Sequence, residues 1–320
     1  MRFFVKRLLQ LIPVLLIVSF LTYLLINLLP GGTTQIAITV AGAGAEPEVI
    51  EQVKADLELD KPLPQRYLNW LGDAVSGDLG RSYINDTEVS TYIGDRAPVS
   101  LQLMLYAQII ALVIAIPLGV LAAYRADSRV DRGLSTAAFG LLSVPNFIIG
   151  VLLVYLLALT FGWFPATGSI EFSEDPFEHF KSMFLPSLTL AVGLIAIYMR
   201  LLRTDMIATL QEDYIGMAKA KGMPTRHILF RHAFRPSSFS LLTVAGITVG
   251  NLIGGALIVE QIFGIHGLGE LIIFSIFQRD FLVVQGAVVV ICIAFVLANF
   301  VIDLLYGFLD PRIRHARALA

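Results

Sequence analysis

The sequence predicts an all-α integral membrane protein, with six transmembrane helices carrying a helical hairpin on one side of the bilayer. Three observations lead there. Apolar residues make up 56% of the 320 residues and charged residues only 15%, against roughly 25% charged in soluble domains. Six apolar runs stand out: Leu8–Leu29, Val99–Tyr124, Leu134–Phe161, Met183–Met199, Phe239–Val259 and Phe281–Tyr306. Each approaches or exceeds the ~17–25 residues that carry a helix across the hydrocarbon core. None holds an internal Lys or Arg, a charge that costs about 2.5–3.5 kcal/mol at a helix centre. The third observation is that basic and acidic loops alternate along the chain.

The first run follows Arg2, Lys6 and Arg7. It is longer than the ~7–15 residues of a signal-peptide core, and Ala41-Gly42-Ala43 lies well beyond its end, so a retained helix is expected. Segment 30–98 holds eleven acids against five bases and exceeds the usual length of a structureless loop. Within it Val49, Ile50, Val53 and Leu57 fall on one face of a helix over Pro47–Leu59. Tyr67, Leu68, Trp70 and Leu71 form a second apolar patch, so a small cap on the outer membrane surface is expected. The loop after the second run carries three Arg and two Asp, and 162–182 carries four acids against one base. The 200–236 loop carries seven bases and three acids, and the tail adds Arg312, Arg314 and Arg317. Basic loops on alternate connections place 200–236 and both termini in the cytoplasm. The chain reads as a single membrane domain over 1–320.

Several chemistries are excluded. A net charge of −2 offers no bulk basic surface for nucleic acid, and there is no Gly-Lys pair for a P-loop. Cys292 is the only cysteine, so no intrachain disulfide forms. His179, His227, His232, His266 and His315 are expected in loops or the tail, leaving no intramembrane metal site. No catalytic constellation, metal site or cofactor is expected. Acids at membrane depth are limited to Glu260 and Asp303, each near a helix end. The paired midplane groups of an ion-coupled carrier are missing, and a secondary carrier or channel is the alternative reading.

The hairpin lies in Asp213-Tyr214-Ile215-Gly216-Met217-Ala218-Lys219-Ala220-Lys221-Gly222-Met223-Pro224. Asp213 suits a helix N-terminus through the dipole, and Gly222 suits a left-handed helix end. Pro224 is placed to open a second helix through His227, Ile228, Phe230, Arg231 and Phe234. Gly216, Ala218 and Ala220 leave low relief for a partner backbone, Met217 and Met223 supply adaptable apolar contacts, and Lys219 and Lys221 supply charge. On physics alone the loop either docks a soluble partner or lies against anionic lipid.

This segment resembles the EAA-type coupling loop of ABC-importer permeases. Aligned on Gly222, the general pattern matches at Ala218 and Gly222, and the position of its final segment falls on His232–Arg235. The fuller string, Arg200-x-x-Arg203 through Asp213-Tyr214 to Ala218-x-Ala220-Lys221-Gly222, is similar to the peptide/nickel branch. So are Ser143-Val144-Pro145-Asn146-Phe147, Gly162-Trp163-Phe164-Pro165-Ala166-Thr167-Gly168 and Val259-Glu260-Gln261-Ile262-Phe263. Gly267-Leu268-Gly269, Arg279-Asp280 and Leu309-Asp310-Pro311-Arg312 complete the resemblance over nearly the whole chain. It implies a type I ABC importer permease fold and a first, B-type permease of a dipeptide or oligopeptide importer in the inner membrane. The implied partners are two P-loop ATPase subunits, a homologous C-type permease, an extracytoplasmic substrate-binding protein and membrane lipid. The implied docking residues are Asp213, Tyr214, Gly216, Met217, Ala218, Lys219, Ala220, Lys221, Gly222, Pro224 and His232.

The fifth run carries Gly246, Gly250 and Gly254 at four-residue spacing, a smooth face for a neighbouring helix. That face either meets a companion permease and the transport path or packs within the subunit. Asn251 beside it, and Asn146 in the third run, are polar groups that could face the path or bond between helices.

Overall fold

A computed structural model describes residues 2–28, 32–42 and 44–309 in backbone, with side chains from 12 to 300 except 32 and 251. The tail from Asp310 and the side chains of Asn251 and Asp303 lie outside the described residues. Among those described the regular structure is helix, with one isolated β-bridge between Arg81 and Glu88. Among the described residues three helices, Val89–Tyr124, Pro176–Leu210 and Phe281–Phe300, are each long and apolar enough to cross a membrane, and two bent pairs bring the number to at most five. Each of the six expected runs falls largely or wholly in helix, and among the described residues the count of crossings stops short of the expected six.

The chain forms two compact units. One comprises Met1–Ser100 with His266–Leu297. It contains α1 (Arg2–Asn27), α2 (Gly32–Ala41), α3 (Pro47–Asp56), α4 (Leu63–Ser76) and the start of α5 (Val89–Tyr124). The expected cap is present as α3 and α4, whereas α2 was not anticipated, because its Thr-rich stretch has no clear apolar period. Tyr67 and Trp70 of α4 pack on Tyr23 of α1, and the Tyr67 hydroxyl lies 2.8 Å from Ser19 Oγ. Leu68, expected in the same patch, points outward and is 62% exposed, because its position on the helix faces away from Tyr67 and Trp70. Gly77, in the left-handed region at φ 98°, ends α4.

The same unit holds a short helix, Leu268–Gln278, where the sequence predicts a loop, and it precedes the helix Phe281–Leu309. Arg279, at φ 59°, closes it, and the Asp280 N–H donates to the Ser275 carbonyl at 2.8 Å. The Asp280 carboxylate accepts the Ser82 hydroxyl and, at 3.1 Å, the Tyr83 N–H. Burial pushes the Asp280 carboxyl up. The Arg279-Asp280 pair is therefore a helix end that clasps the loop after α4.

The other unit, Leu101–Ile265 with Ala298–Ala320, holds the rest of α5, then α6 (Arg129–Ser143), α7 (Asn146–Leu153), α8 (Pro176–Leu210), α9 (Asp213–Ala220), α10 (Thr225–His227) and α11 (Phe234–Phe263). The short helix and the last one described above are α12 and α13 in this order. The run Leu134–Phe161 is not one helix. It breaks between α6 and α7 with a bend of 101°, because Pro145 disfavours helical backbone at Val144 and cannot donate to the turn behind it. Beyond α7 a π-helical turn covers Val154–Thr160.

α8 is the central element. Some 72% of its most apolar stretch is buried, against 39% for α5, and it packs against α6, α7 and α11. Close approach needs glycine on its neighbours. A Cβ at Gly150 would stand 2.9 Å from Thr189 Cγ2, and one at Gly119 would stand 3.1 Å from the Met199 carbonyl. His179, expected in a loop, is buried in the first turn of α8, with Nδ1 2.6 Å from the Ile170 carbonyl and Nε2 3.2 Å from the Tyr106 hydroxyl. The run starts earlier than its apolar stretch because Asp175 caps it, accepting from the N–H groups of Phe177 and Glu178.

At the opposite end of α8, Arg203 Nε and Nη2 donate to Asp131 of α6 at 2.5 and 2.6 Å. Asp131 is 2% exposed and also accepts the Asp127 N–H at 2.9 Å. Arg200, one turn earlier, lies over the Phe139 ring at 4.0 Å. This paired, planar contact fixes α6 to the end of α8 from which the hairpin departs. Removing one partner strands the other, and since Arg203 retains partial exposure the cost for Asp131→Asn or Arg203→Gln is about 2–3 kcal/mol. The double variant should be clearly more stable than the sum of the two losses, read as melting temperatures of the purified protein; additive losses would show that the pair is not coupled.

Candidate functional site

The hairpin begins where α8 ends. Only Gln211 and Glu212 separate α8 from α9. Asp213 occupies the first turn of α9, as expected for a dipole contact. At the other end Gly222 is left-handed at φ 74°, the Gly222 N–H donates to the Lys219 carbonyl at 2.9 Å, and the Met223 N–H to that of Ala218 at 3.2 Å. These two bonds, with Met223 folded back on the helix, make a Schellman closure.

Ile215, Ala218 and Ile228 form a small buried cluster, with Leu210 and Met223 packed on it. Ala218 therefore belongs to the underside of the hairpin and not to its outer contact face. The outer face is made by Asp213, Tyr214, Gly216, Met217, Lys219, Ala220, Lys221, Gly222 and Pro224, all exposed. Met217 is 60% exposed, and Gly216 opens onto empty space. The outer face is thus flat at Gly216 and Ala220, with one flexible apolar side chain and two ammonium groups.

The second arm differs from expectation in two respects. Pro224 precedes the helix as its cap, its carbonyl accepting the His227 N–H at 2.9 Å, and a π-helical turn over Ile228–Ala233 joins α10 to α11 without a break. Pro236 in the first turn of α11 has no N–H to offer the His232 carbonyl four residues back. The Tyr214 hydroxyl donates to that carbonyl at 3.3 Å and ties the two arms together. Burial, with the Glu212 charge adding, pushes the Tyr214 phenol up, so it remains a neutral donor. His232 is half-buried, its ring 5.3 Å from that of His227. Thr209 and Ser237 add a 3.0 Å hydroxyl contact across the base of the hairpin.

Deeper in this unit a cavity of about 230 Å³ is lined by Asn146, Gly193, Leu194, Thr248 and Leu252 among others. Asn146 is the first residue of α7, immediately after the break, and a Cβ at Gly193 would stand 3.3 Å from its Oδ1. The Thr248 hydroxyl is engaged by Tyr198, which also reaches Gln108. On α11 Gly254 faces open space, whereas Gly255 meets α8, its Cβ position 3.1 Å from Leu190. Gly246 and Gly250 are half-buried. The four-residue glycine spacing did not single out Gly255, and only knowledge of where α8 lies could have done so.

Residues 115–315 match the family described as binding-protein-dependent transport system inner membrane component, and residues 1–104 match the N-terminal membrane component of such systems. A protein of Brucella abortus (strain 2308), whose name provisionally makes it a peptide transport system permease, is 41% identical over 97% of this chain and 98% of its own. The oligopeptide transport system permease protein AppB of Bacillus subtilis is 36% identical over 98% and 99%. The glutathione transport system permease protein GsiC of Pectobacterium atrosepticum is likewise 36% identical over 98% and 99%. In fold the chain resembles a chain of the MetNI methionine ABC transporter in an inward-facing conformation, with TM-score 0.57 and 17% identity over 68% of this chain and 96% of that one. The chain belongs to the family of inner membrane components of binding-protein-dependent transport systems.

Proposed function

We propose that this chain is a permease subunit of an ATP-driven importer of peptides, and that its hairpin receives the stroke of separate P-loop ATPases. The observation that carries the proposal is the two-sidedness of the hairpin. Its underside is sealed by Ile215, Ala218 and Ile228 while its outer face stays bare and low. The second arm runs unbroken into α11, and α9 is sealed onto that arm and joined to α8 by Gln211 and Glu212. Force on α9 then reaches the membrane through the second arm and α11, as alternating access by rigid-body motion requires. The peptide class rests on the named relatives, whose substrates by name are peptides, oligopeptides and glutathione.

In this reading the hairpin and both termini face the cytoplasm, the whole chain acts as one permease domain, and two ATPases, a C-type permease and an extracytoplasmic binding protein complete the assembly. Asp213, Tyr214, Gly216, Met217, Lys219, Ala220, Lys221, Gly222 and Pro224 form the ATPase contact, with His232 and Ala218 supporting it from beneath. The exposed Gly254 with Gly246 and Gly250 serves the companion permease, and Asn146 borders the path. A secondary carrier is disfavoured by the absence of paired midplane acids.

Substituting the flat outer face tests the docking. Met217→Asp or Ala220→Glu should lower the ATPase retained on the affinity-purified chain by about thirtyfold, the value of a central contact worth ~2 kcal/mol, with membrane abundance unchanged. Undiminished ATPase in both variants would contradict the assignment, and uptake persisting without nucleotide would favour the carrier.

A further inference from the structure

We propose that the second arm of the hairpin carries a binding site for the phosphate headgroup of an anionic lipid. The site is a concave surface of about 880 Å³ lined by Arg226, His227, Phe230, Arg231, Phe234 and Arg235 with flanking small groups. No residue of α9 and no carboxylate lines it, and it meets the outer face proposed above for the ATPase only at Pro224.

Its chemistry follows from the register. His227, Arg231 and Arg235 recur every four residues along one edge of the arm, and Arg226, Phe230 and Phe234 recur every four along the adjoining edge. Arg226, Arg231 and Arg235 are exposed and make no ion pair among the described residues. Three exposed guanidiniums on a surface without acid attract an anion, and their planar donor geometry fits the paired oxygens of a phosphodiester. The aromatic edge tells which kind of anion. Phe230 is 52% exposed, and the arm passes straight into the apolar run, where Phe239 is 44% exposed. Rings beside cationic heads, at the point where a helix enters an apolar stretch, fit the boundary between headgroup and acyl chain. A free phosphate would leave the rings uncovered. The proposal rests on the orientation given above only for the choice of the cytoplasmic leaflet.

A bound lipid would hold the second arm at the membrane surface and so set the position from which α9 is presented. The test uses the affinity-purified complex, reconstituted in vesicles of phosphatidylcholine alone or with phosphatidylglycerol. Phosphatidylglycerol retained through a detergent wash and the ATP turnover are both measured. The wild-type complex should retain phosphatidylglycerol and turn over ATP faster in vesicles that contain it. In the Arg226→Gln/Arg231→Gln/Arg235→Gln variant retention should fall about a hundredfold, roughly fivefold per guanidinium. Its turnover should no longer respond to the lipid, while its ATPase content stays unchanged. If the triple variant does not reach the membrane, Arg231→Gln alone should show the fivefold loss. Equal retention by wild type and variant overturns the proposal. So does loss of ATPase from the variant, which would make the surface a protein contact. Neither of these outcomes requires loss at Met217 or Ala220, so failure here leaves the docking assignment standing.

Discussion

An eight-residue helix such as α9 is too short to persist in water by its own hydrogen bonds. Its existence depends on one apolar edge, Ile215 and Ala218, seated on Ile228 with Leu210 and Met223 closing the sides. Burial of two side chains contributes only a few kcal/mol at most, so the closure at Gly222 and the Tyr214 bond to the His232 carbonyl matter as much. With them the hairpin has a fixed shape, and its outer face can be bare without collapsing. Everything proposed for coupling follows from that division of one small helix into a sealed side and an open side.

The rest of this unit holds the base of the hairpin still. α8 is the most buried of the long helices, and its neighbours approach it through Gly119, Gly150 and Gly255. The Arg203–Asp131 pair fastens α6 to its hairpin end, while His179 fastens the loop after α7 to its other end. Between these two fixed ends the third run is bent at Pro145, which leaves Asn146 at the edge of a cavity. A broken helix at membrane depth is tolerated where it lines protein or a water-filled space. The path proposed above would border this break, where the cavity is apolar apart from Asn146 and Thr248.

Much of this was legible in the residues. Apolar run length located the helices, and the left-handed end at Gly222 and the helix start at Asp213 follow from local chemistry alone. The break at Pro145, which turns the chain by 101°, was not read from the run, because its apolar composition continues on both sides of the proline. What local reasoning misassigned depends on tertiary partners. Ala218 and Leu68 each look interchangeable with their neighbours until the packing of Ile228 and of Tyr67 is known. His179 reads as a loop residue because the charged Asp175–Lys181 stretch ends the apolar run, yet that stretch is the capped first turns of α8. The tie from Tyr214 to the His232 carbonyl had no periodic signal, since it is one contact between distant positions, and the short helix Leu268–Gln278 is apolar but below the length of a crossing.

The central claim is mechanical: α9 and the membrane part of α11 move as one body when the ATPases close. Spin labels at Lys219→Cys and Ile247→Cys, in a Cys292→Ser background, place one probe on each. Their separation in the assembled transporter, measured by electron–electron double resonance without nucleotide and with trapped ATP, tests the claim directly. The account predicts the same narrow distance distribution in both states. A distribution that shifts or broadens on ATP binding would show that the hairpin flexes against α11, and the coupling proposed here would be contradicted.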